Sequence, residues 1–271
     1  MPKSLQLKFT PAEMGDESAI NLRFCKEAGA VGGRVVWKKK SLDARGRQPF
    51  FLVSAEVYQK GEEIHEDAGF RLQNVSNSKE IHIVGAGPAG LFCALELIEL
   101  GFKPIVLERG KGVKERRRDL AMMNREKVVN PESNYCFGEG GAGTYSDGKL
   151  YTRSNKRGPV QKVLRCLVDH GAPEAITYEA HPHIGTNKLP QLVEGLRKSI
   201  EACGGEVRFN ARVDGIDIEG GRVKSLLLQG GERLPVEAVV LATGHSARDI
   251  FEMLDRSGVA IEAKPFAIGV R

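Results

Sequence analysis

The apolar and polar residues near the start of the chain are spaced as in a small mixed domain. In LQLKF they alternate, as in a β-strand, and in GDESAINLRFCKEAG residues Ile20, Phe24 and Ala28 fall on one side of a helix. RVVWKKK and FFLVSAEVYQK are typical of two further strands that a polar turn connects. This pattern predicts a small α+β domain over residues 1–76.

The spacing changes after a polar stretch, NVSNSKE, which has the composition of a linker. From Ile81 onwards, IHIVGAGPAGLFCALELIELGFKPIVLERG contains an apolar strand, a glycine turn, a helix and a second apolar strand. That order is typical of a βαβ unit with two parallel strands. We therefore expect a linker at 77–80 and a second domain over residues 81–271.

Later segments extend this second domain. Helical spacing recurs at 160–169 and 188–203, and the apolar run AVVLATG is typical of a buried strand. Before that run, EVRFNARV is followed by a stretch with Gly-Gly pairs at 220–221 and 230–231, which suit tight antiparallel turns. The predicted fold class is α/β, a Rossmann-like parallel sheet with an antiparallel meander insertion, preceded by the small α+β domain.

Composition narrows the class of protein. The 271 residues are 41% hydrophobic and 28% charged, which is typical of a globular chain. MPKSLQLKF lacks the apolar run of a signal peptide, and no stretch is long and apolar enough to predict a membrane span. The five cysteines are widely spaced and contain no C-x-x-C pair, which argues against a disulfide framework or a zinc site. We expect a cytoplasmic protein with no membrane partner.

The net charge of +5 equals that of one segment, residues 109–127, which holds eight basic and three acidic residues. A solvated helix face explains such a segment in the simplest way. A second basic stretch, around Lys38–Lys40, lacks the interleaved aromatic residues of nucleic-acid binding surfaces. The charge pattern therefore argues against a nucleic-acid partner.

The strongest chemical signal is the run from Gly85 to Gly90, GAGPAG, between the first strand and the helix. Gly85 suits the tight turn, Gly87 lets a pyrophosphate approach the backbone, and Gly90 lets the helix pack closely on the strand. Glu108 ends the second strand, where an acid accepts hydrogen bonds from ribose hydroxyls. Together they predict a dinucleotide site. The alternative is a glycine turn without a nucleotide.

Both NAD and FAD bind to such a unit, and three features favour FAD. Arg109 and Gly110 follow the acid, as is common in flavoproteins; LATG (241–244) ends a later strand; and residues 206–237 have the length of a strand and meander. A chain passing near adenine at Val213 could contact it through the backbone. An NAD-linked dehydrogenase would instead continue with alternating strands and helices.

These segments resemble the uncharacterised FAD-dependent dehydrogenases of bacteria, within the glutathione-reductase-like flavoproteins. The resemblance rests on VGAGPAGLFCALEL, VLERG, FGEGGAGTYSDGKLYTR, HPHIGTNKL, LATGHSARD and KPFAIGVR. It implies an N-terminal appendage like residues 1–75. It also implies longer members that continue past KPFAIGVR, so the chain is expected to be truncated at its C-terminal side.

The resemblance implies roles for individual residues. The pyrophosphate would contact the glycine turn, the ribose Glu108, and adenine Val213, while a glycine loop beginning at Gly140 would leave room for the flavin. The cofactor-binding set is Gly85, Gly87, Pro88, Ala89, Gly90, Glu108, Arg109, Gly141, Ala142, Gly143, Thr144, Val213, Ala242, Thr243 and Gly244. An arginine among 116–118 is a further candidate, facing the diphosphate or a nicotinamide phosphate.

Other candidates have simpler explanations. Cys136 has no partner at disulfide-reductase spacing, so we expect a small residue that is at least partly buried. His181 and His183 are candidates for acid–base groups, but a metal site would need a third ligand. His245 and Ser246 follow LATG, where Ser246 suits a helix N-cap.

The predicted function is an FAD-binding oxidoreductase in which flavin N5 transfers a hydride. The expected partners are a small-molecule substrate and NAD(P)H, and no catalytic residue, metal, substrate identity or oligomeric state is predicted. Two alternatives stay open: an inactive nucleotide-binding remnant of a longer enzyme, and an NAD-binding protein.

Overall fold

The computed structural model describes residues 1–64, 69–152 and 158–265. The last six residues of KPFAIGVR and Arg153, which ends FGEGGAGTYSDGKLYTR, lie outside the described residues. The elements in chain order are β1 (Lys3–Phe9), α1 (Glu17–Ala28), β2 (Arg34–Asp43), β3 (Phe50–Tyr58), β4 (Glu80–Val84), α2 (Pro88–Glu99), β5 (Lys103–Leu107), α3 (Val113–Glu126), α4 (Val160–Asp169), α5 (Leu189–Ala202), β6 (Glu206–Arg208), β7 (Val213–Glu219), β8 (Arg222–Leu228), β9 (Arg233–Pro235), β10 (Val239–Leu241) and α6 (Arg248–Arg256).

The chain divides into two compact units. The first unit consists of residues 1–69 and 147–188, and the second of residues 70–146 and 189–271. Residues 147–188, which the sequence placed in the second domain, thus group with the N-terminal residues. The domain boundaries at 76 and 80, as limits of parts that fold independently, stay a prediction.

The first unit begins with an antiparallel sheet in the order β1-β3-β2. Helix α1 packs on one face because Ile20 and Phe24 point into a core that Phe9, Val53 and Val57 complete. Asp16 accepts a hydrogen bond from the backbone N–H of Ala19 and so caps the helix. The four elements predicted in this region are confirmed.

The other part of the first unit contains helix α4, at the residues predicted for it, and a chain segment that adds to the sheet. The backbone N–H of Lys40 on β2 donates to the carbonyl oxygen of Tyr178 at 2.6 Å, and Ala180 N–H donates to the carbonyl of Lys40. The Trp37 ring lies 5.2 Å from the Tyr178 ring. Residues 178–180 therefore extend the edge of the sheet beside β2.

The second unit is built on a four-stranded parallel sheet in the order β10-β4-β5-β6. Strands β4 and β5 with α2 between them form the predicted βαβ unit. Helix α2 packs on one face through Leu91, Ala94 and Leu95, all buried. The predicted α/β class with a parallel sheet is confirmed, although EVRFNARV pairs with the sheet only over Glu206–Arg208.

The opposite face of the parallel sheet is covered by an antiparallel meander, β7-β8-β9, and by α6. Val84 and Leu107 from the sheet share a core with Leu226 from the meander and Ile250 from the helix. The Gly-Gly pairs connect β7 to β8 and β8 to β9, as predicted. None of the helices described is long and apolar enough to cross a membrane.

His82 occupies the sheet face that carries the meander and is 6% exposed. Its Nδ1 has no hydrogen-bond partner among the described residues. Burial lowers the pKa of this imidazole, and Arg208 adds to that effect while Glu80 opposes it. The ring is therefore neutral in the folded protein at neutral pH.

We predict that His82 makes folding sensitive to mild acid. The unfolded chain takes up a proton near the ordinary histidine pKa of about 6.5, whereas the folded chain resists it. The free energy of unfolding should therefore fall as pH drops below that value towards the lowered folded pKa. His82→Phe should flatten the fall between about pH 7 and 5 in urea titrations, and His183→Gln, at an exposed position, should not. Parallel pH profiles for wild type and His82→Phe would contradict this assignment.

Candidate functional site

The glycine turn joins β4 to α2, and close packing explains two of its glycines. Gly85 has φ +107°, and a Cβ there would lie 2.5 Å from the carbonyl oxygen of Ala242. A Cβ on Gly90 would overlap the carbonyl oxygen of Gly85. Helix α2 begins at Pro88, with Gly87 as its N-cap residue. The turn thus brings the start of α2 against β4 and against the segment that follows β10.

The second glycine-rich segment, residues 138–144, lies against this turn. The backbone N–H of Gly140 donates to the carbonyl oxygen of Ala86 at 2.8 Å. A Cβ on Gly141 would lie 3.2 Å from the Cα of Gly87. Gly141–Gly143 form a single 3-10 turn. The two glycine segments, which are about fifty residues apart in sequence, therefore form one continuous wall.

Glu108 holds these segments together. It is 5% exposed, and its Oε2 accepts the backbone N–H of Ala86 at 2.8 Å. Its Oε1 accepts the N–H groups of Gly110 at 2.8 Å and Gly138 at 2.9 Å. A carboxylate has about four acceptor positions. Three are occupied by the backbone, so one position remains, on Oε2.

Both glycine segments border a cavity of about 660 Å³ in the second unit. Thirteen of the fifteen residues that the sequence singled out line it: Gly85, Gly87, Pro88, Ala89, Glu108, Arg109, Gly141, Ala142, Gly143, Val213, Ala242, Thr243 and Gly244. The other two lie behind this lining. Gly90 packs under the turn, and the Thr144 hydroxyl donates to the carbonyl of Glu139 at 2.8 Å.

Arg109 is fixed by two acids at the edge of the cavity. Its guanidinium donates to both oxygens of Asp249, at 3.1 and 2.9 Å, and to Glu132 at 2.8 Å. It lies 4.4 Å from the centre of the Phe137 ring, a cation–π distance. Burial would lower the pKa of Arg109, but its hydrogen bonds to Asp249 and Glu132 outweigh this effect and raise it.

Sequence reasoning missed several lining residues, which come from α6, from the start of the meander and from the position before Gly138. Phe137, Arg212, Ile250 and Phe251 border the same cavity. Phe251 is 49% exposed, so its ring forms part of an open apolar wall. Helical spacing alone could have paired Ile250 with Leu254, but it carries no sign that this side of α6 faces a cavity.

Arg116 has a different place from the one expected. It is fully buried, and burial lowers the pKa of its guanidinium. Its nitrogens donate to the carbonyl oxygens of Asn134, Tyr135, Gly138 and Glu139, and to the Thr144 hydroxyl. The expectation that an arginine of 116–118 faces a phosphate is wrong for Arg116, because its donors are directed into the protein.

The spacing on α3 could have identified this arginine. Val113, Arg116 and Leu120 are the buried residues of α3, at intervals of three and four, so they form one stripe. Arg117 and Arg118 lie on the exposed side and do not line the cavity. Because the three arginines are consecutive, the basic run alone does not show which of them is buried.

The structure contradicts two further expectations, for Cys136 and Ser246, while the acid–base role of His181 and His183 stays a prediction. Cys136 is exposed and lines the cavity, so the expectation that it is at least partly buried is wrong. Ser246 is not the N-cap of α6: Ala247 takes that position, without a side-chain cap, and Ser246 instead accepts the N–H of Arg248 through its carbonyl. The centre of the His181 ring lies 4.8 Å from that of the Tyr151 ring, with the two rings tilted by 50°, and the described residues contain no cluster that could hold a metal ion.

We predict that Glu108→Gln destabilises the second unit even without a nucleotide. Whichever way the amide turns, its NH₂ group faces at least one backbone N–H, so a buried donor loses its acceptor. The loss should be about 1–3 kcal/mol in the free energy of unfolding, measured in urea. Glu252→Gln, on the exposed side of α6, is the matched control and should change little. A Glu108→Gln protein as stable as wild type would show that the three backbone bonds contribute nothing.

Two family models match parts of the chain. Residues 181–267 match the family described as FAD dependent oxidoreductase, and residues 1–58 match a domain of unknown function (DUF8436). The first match includes Val213 and Ala242–Gly244, which line the cavity, whereas the glycine turn precedes it.

Known proteins with similar sequences are longer than this chain. It is 42% identical over 249 residues to a protein of Clostridium beijerinckii described as uncharacterized, a match that covers 86% of this chain and 46% of the relative. It is 27% identical over 183 residues to thiamine thiazole synthase of Aeropyrum pernix, covering 62% and 55%. The chain thus spans about half the length of these curated relatives.

Solved structures that resemble the chain include THI4 of Thermovibrio ammonificans, at 15% identity and a TM-score of 0.43, covering 67% of this chain and 64% of that one. L-proline dehydrogenase from P. horikoshii has 14% identity and a TM-score of 0.38, covering 70% and 58%. The sequence match at residues 181–267 is to the FAD dependent oxidoreductase family, and this similarity supports FAD as the cofactor.

Proposed function

We propose that the second unit binds FAD non-covalently in the cavity beside the glycine turn, as the cofactor part of a cytoplasmic oxidoreductase that acts on a small molecule. One observation carries the proposal: thirteen of the fifteen residues that the sequence predicts as FAD contacts, from five separate stretches of chain, line a single cavity. The match of residues 181–267 to FAD dependent oxidoreductases supports the same cofactor.

The glycine turn fits a diphosphate. Helix α2 has twelve residues and begins at the cavity, so its first N–H groups and its dipole favour an anion there. Gly87 and Gly141 both line the cavity and have no side chain, so the space beside the start of α2 stays open. In this proposal the diphosphate is held mainly by backbone N–H groups.

The remaining acceptor position of Glu108 suits one ribose hydroxyl. Three of its positions already hold backbone N–H groups, so we propose one hydrogen bond to the ribose rather than two. Val213 lines the cavity, as do Arg109 and Phe137, which contact each other, and we assign the adenine to the neighbourhood of these residues.

Bound FAD would supply the hydride chemistry at its N5 atom. The chain would orient the ring through the small residues Gly141–Gly143 and Ala242–Gly244, since both groups line the cavity. The proposal extends to NAD(P)H as electron donor and to membership of the glutathione-reductase-like flavoproteins, and it assigns no catalytic residue.

The first test is whether the purified chain binds FAD. We expect added FAD to bind with the absorption and quenched fluorescence of a protein-bound flavin, and acid extraction with mass spectrometry should identify FAD. Retention of NAD in place of FAD, or no nucleotide bound at high micromolar concentration, would overturn the proposal. The measurement addresses binding alone, because the chain spans about half of its relatives.

We further predict that Gly87→Ala separates binding from folding. Gly87 has φ −73°, and the nearest heavy atom to an added Cβ is 3.9 Å away, so the folded chain accommodates alanine. The methyl group would fill the space proposed for the diphosphate, and we expect the FAD dissociation constant to rise at least about tenfold, as a loss of roughly 1.4 kcal/mol implies.

Substitutions at two other glycines serve as comparisons for this test. Gly15→Ala lies in the first unit, where an added Cβ meets nothing within 4 Å, and it should change neither binding nor stability. Gly90→Ala, where the Cβ overlaps the carbonyl of Gly85, should lower stability instead. If Gly87→Ala and wild type bind FAD equally well, the diphosphate does not lie at this turn.

A further inference from the structure

Arg116 is a fully buried cation that the proposed chemistry does not use. Burying a guanidinium is costly unless its donors are satisfied. Here the hydrogen-bond acceptors are four backbone carbonyl oxygens and one hydroxyl, with the shortest bond, 2.7 Å, to the carbonyl of Glu139. The Arg116 side chain therefore fixes the backbone segments that carry these carbonyl oxygens.

The acceptors belong to the two ends of the glycine loop. Asn134, Tyr135, Gly138 and Glu139 precede Gly140–Gly143, and Thr144 follows it. The Thr144 hydroxyl also donates to the carbonyl of Glu139, so both ends meet at the same guanidinium nitrogen. The loop between them has little freedom to move away.

The stem of Arg116 also shapes the loop. A Cβ on Gly138 would overlap the Cδ of Arg116, so the backbone at Gly138 packs directly on the side chain. The N–H of Gly138 donates to Glu108, while its carbonyl accepts from Arg116. The next glycine, Gly140, donates to the carbonyl of Ala86 in the glycine turn.

We propose that Arg116 is a positioning residue for the FAD site: its guanidinium fixes Gly138–Thr144 against the glycine turn, so that the wall of the cavity is formed before the cofactor binds. This inference rests on the proposed function. Its physical basis is preorganisation, because a loop that is already ordered loses less conformational entropy when a ligand binds.

The test compares Arg116→Lys and Arg116→Gln with wild type. Lysine keeps the charge and three donors, whereas glutamine has one amide group. We expect the FAD dissociation constant of the folded protein to rise about tenfold for Arg116→Lys and about a hundredfold for Arg116→Gln, because glutamine leaves more of the carbonyl oxygens around the loop without a donor. Arg125→Lys and Arg125→Gln, on the exposed part of the same helix, are the matched controls.

A purely structural role would lower the urea midpoint and leave the dissociation constant of the folded fraction unchanged, and that result would overturn the proposal. Amide hydrogen exchange of the apo proteins gives a second readout. We expect faster exchange at 138–144 in Arg116→Lys, with α2 and β5 protected as in wild type. If Arg116→Gln does not fold, the lysine variant and its exchange pattern decide.

The two proposals fail in different ways. If wild type binds no FAD, the proposed function fails, and exchange at 138–144 still reports whether Arg116 positions the loop. If wild type binds FAD and both Arg116 variants bind it equally well with unchanged exchange, the positioning role fails and the proposed function stands.

Discussion

The buried carboxylate of Glu108 is the interaction on which the second unit's cavity depends. It accepts backbone N–H groups from three separate segments: Ala86 in the glycine turn, Gly110 just after β5, and Gly138 in the second glycine-rich segment. Charge-assisted bonds of this kind are stronger than neutral ones, and their loss leaves buried donors unpaired. Glu108, the residue expected to bind ribose, therefore also stabilises the fold. A bound ribose would have to share its carboxylate with the three backbone N–H groups.

Arg116 complements this carboxylate. Glu108 accepts the N–H of Gly138, and Arg116 donates to the carbonyl of the same residue. The negative carboxylate and the positive guanidinium therefore fix the N–H and the carbonyl of Gly138, a residue that has no side chain to hold it in place. Mutual attraction between Glu108 and Arg116 also opposes the effect of burial on the arginine pKa.

Local pattern predicted most of the elements because it reflects local physics. The helical stripe of α1, the βαβ unit and the spacing of Gly85, Gly87 and Gly90 follow from periodicity and from close backbone packing. The grouping of residues 147–188 with the N-terminal residues depends on tertiary pairing at Lys40, which no local pattern carries. The exposure of Cys136 and the start of α6 after Ala247, rather than after Ser246, depend on packing in the same way.

The contacts of the basic residues at 109–127 show why the net charge of this segment does not identify a phosphate site. Lys111 pairs with Asp119, Lys114 with Glu194, and Arg109 with Glu132 and Asp249, while Arg116 binds carbonyl oxygens. These four cations are satisfied within the fold, and Arg117 and Arg118 do not line the cavity, so the segment does not supply a ready-made phosphate site there. An anion in the cavity must rely on the N–H groups and dipole at the start of α2, whose approach the glycines leave open. The geometry of the backbone, rather than the charge of the nearby sequence, therefore carries the case for a bound diphosphate.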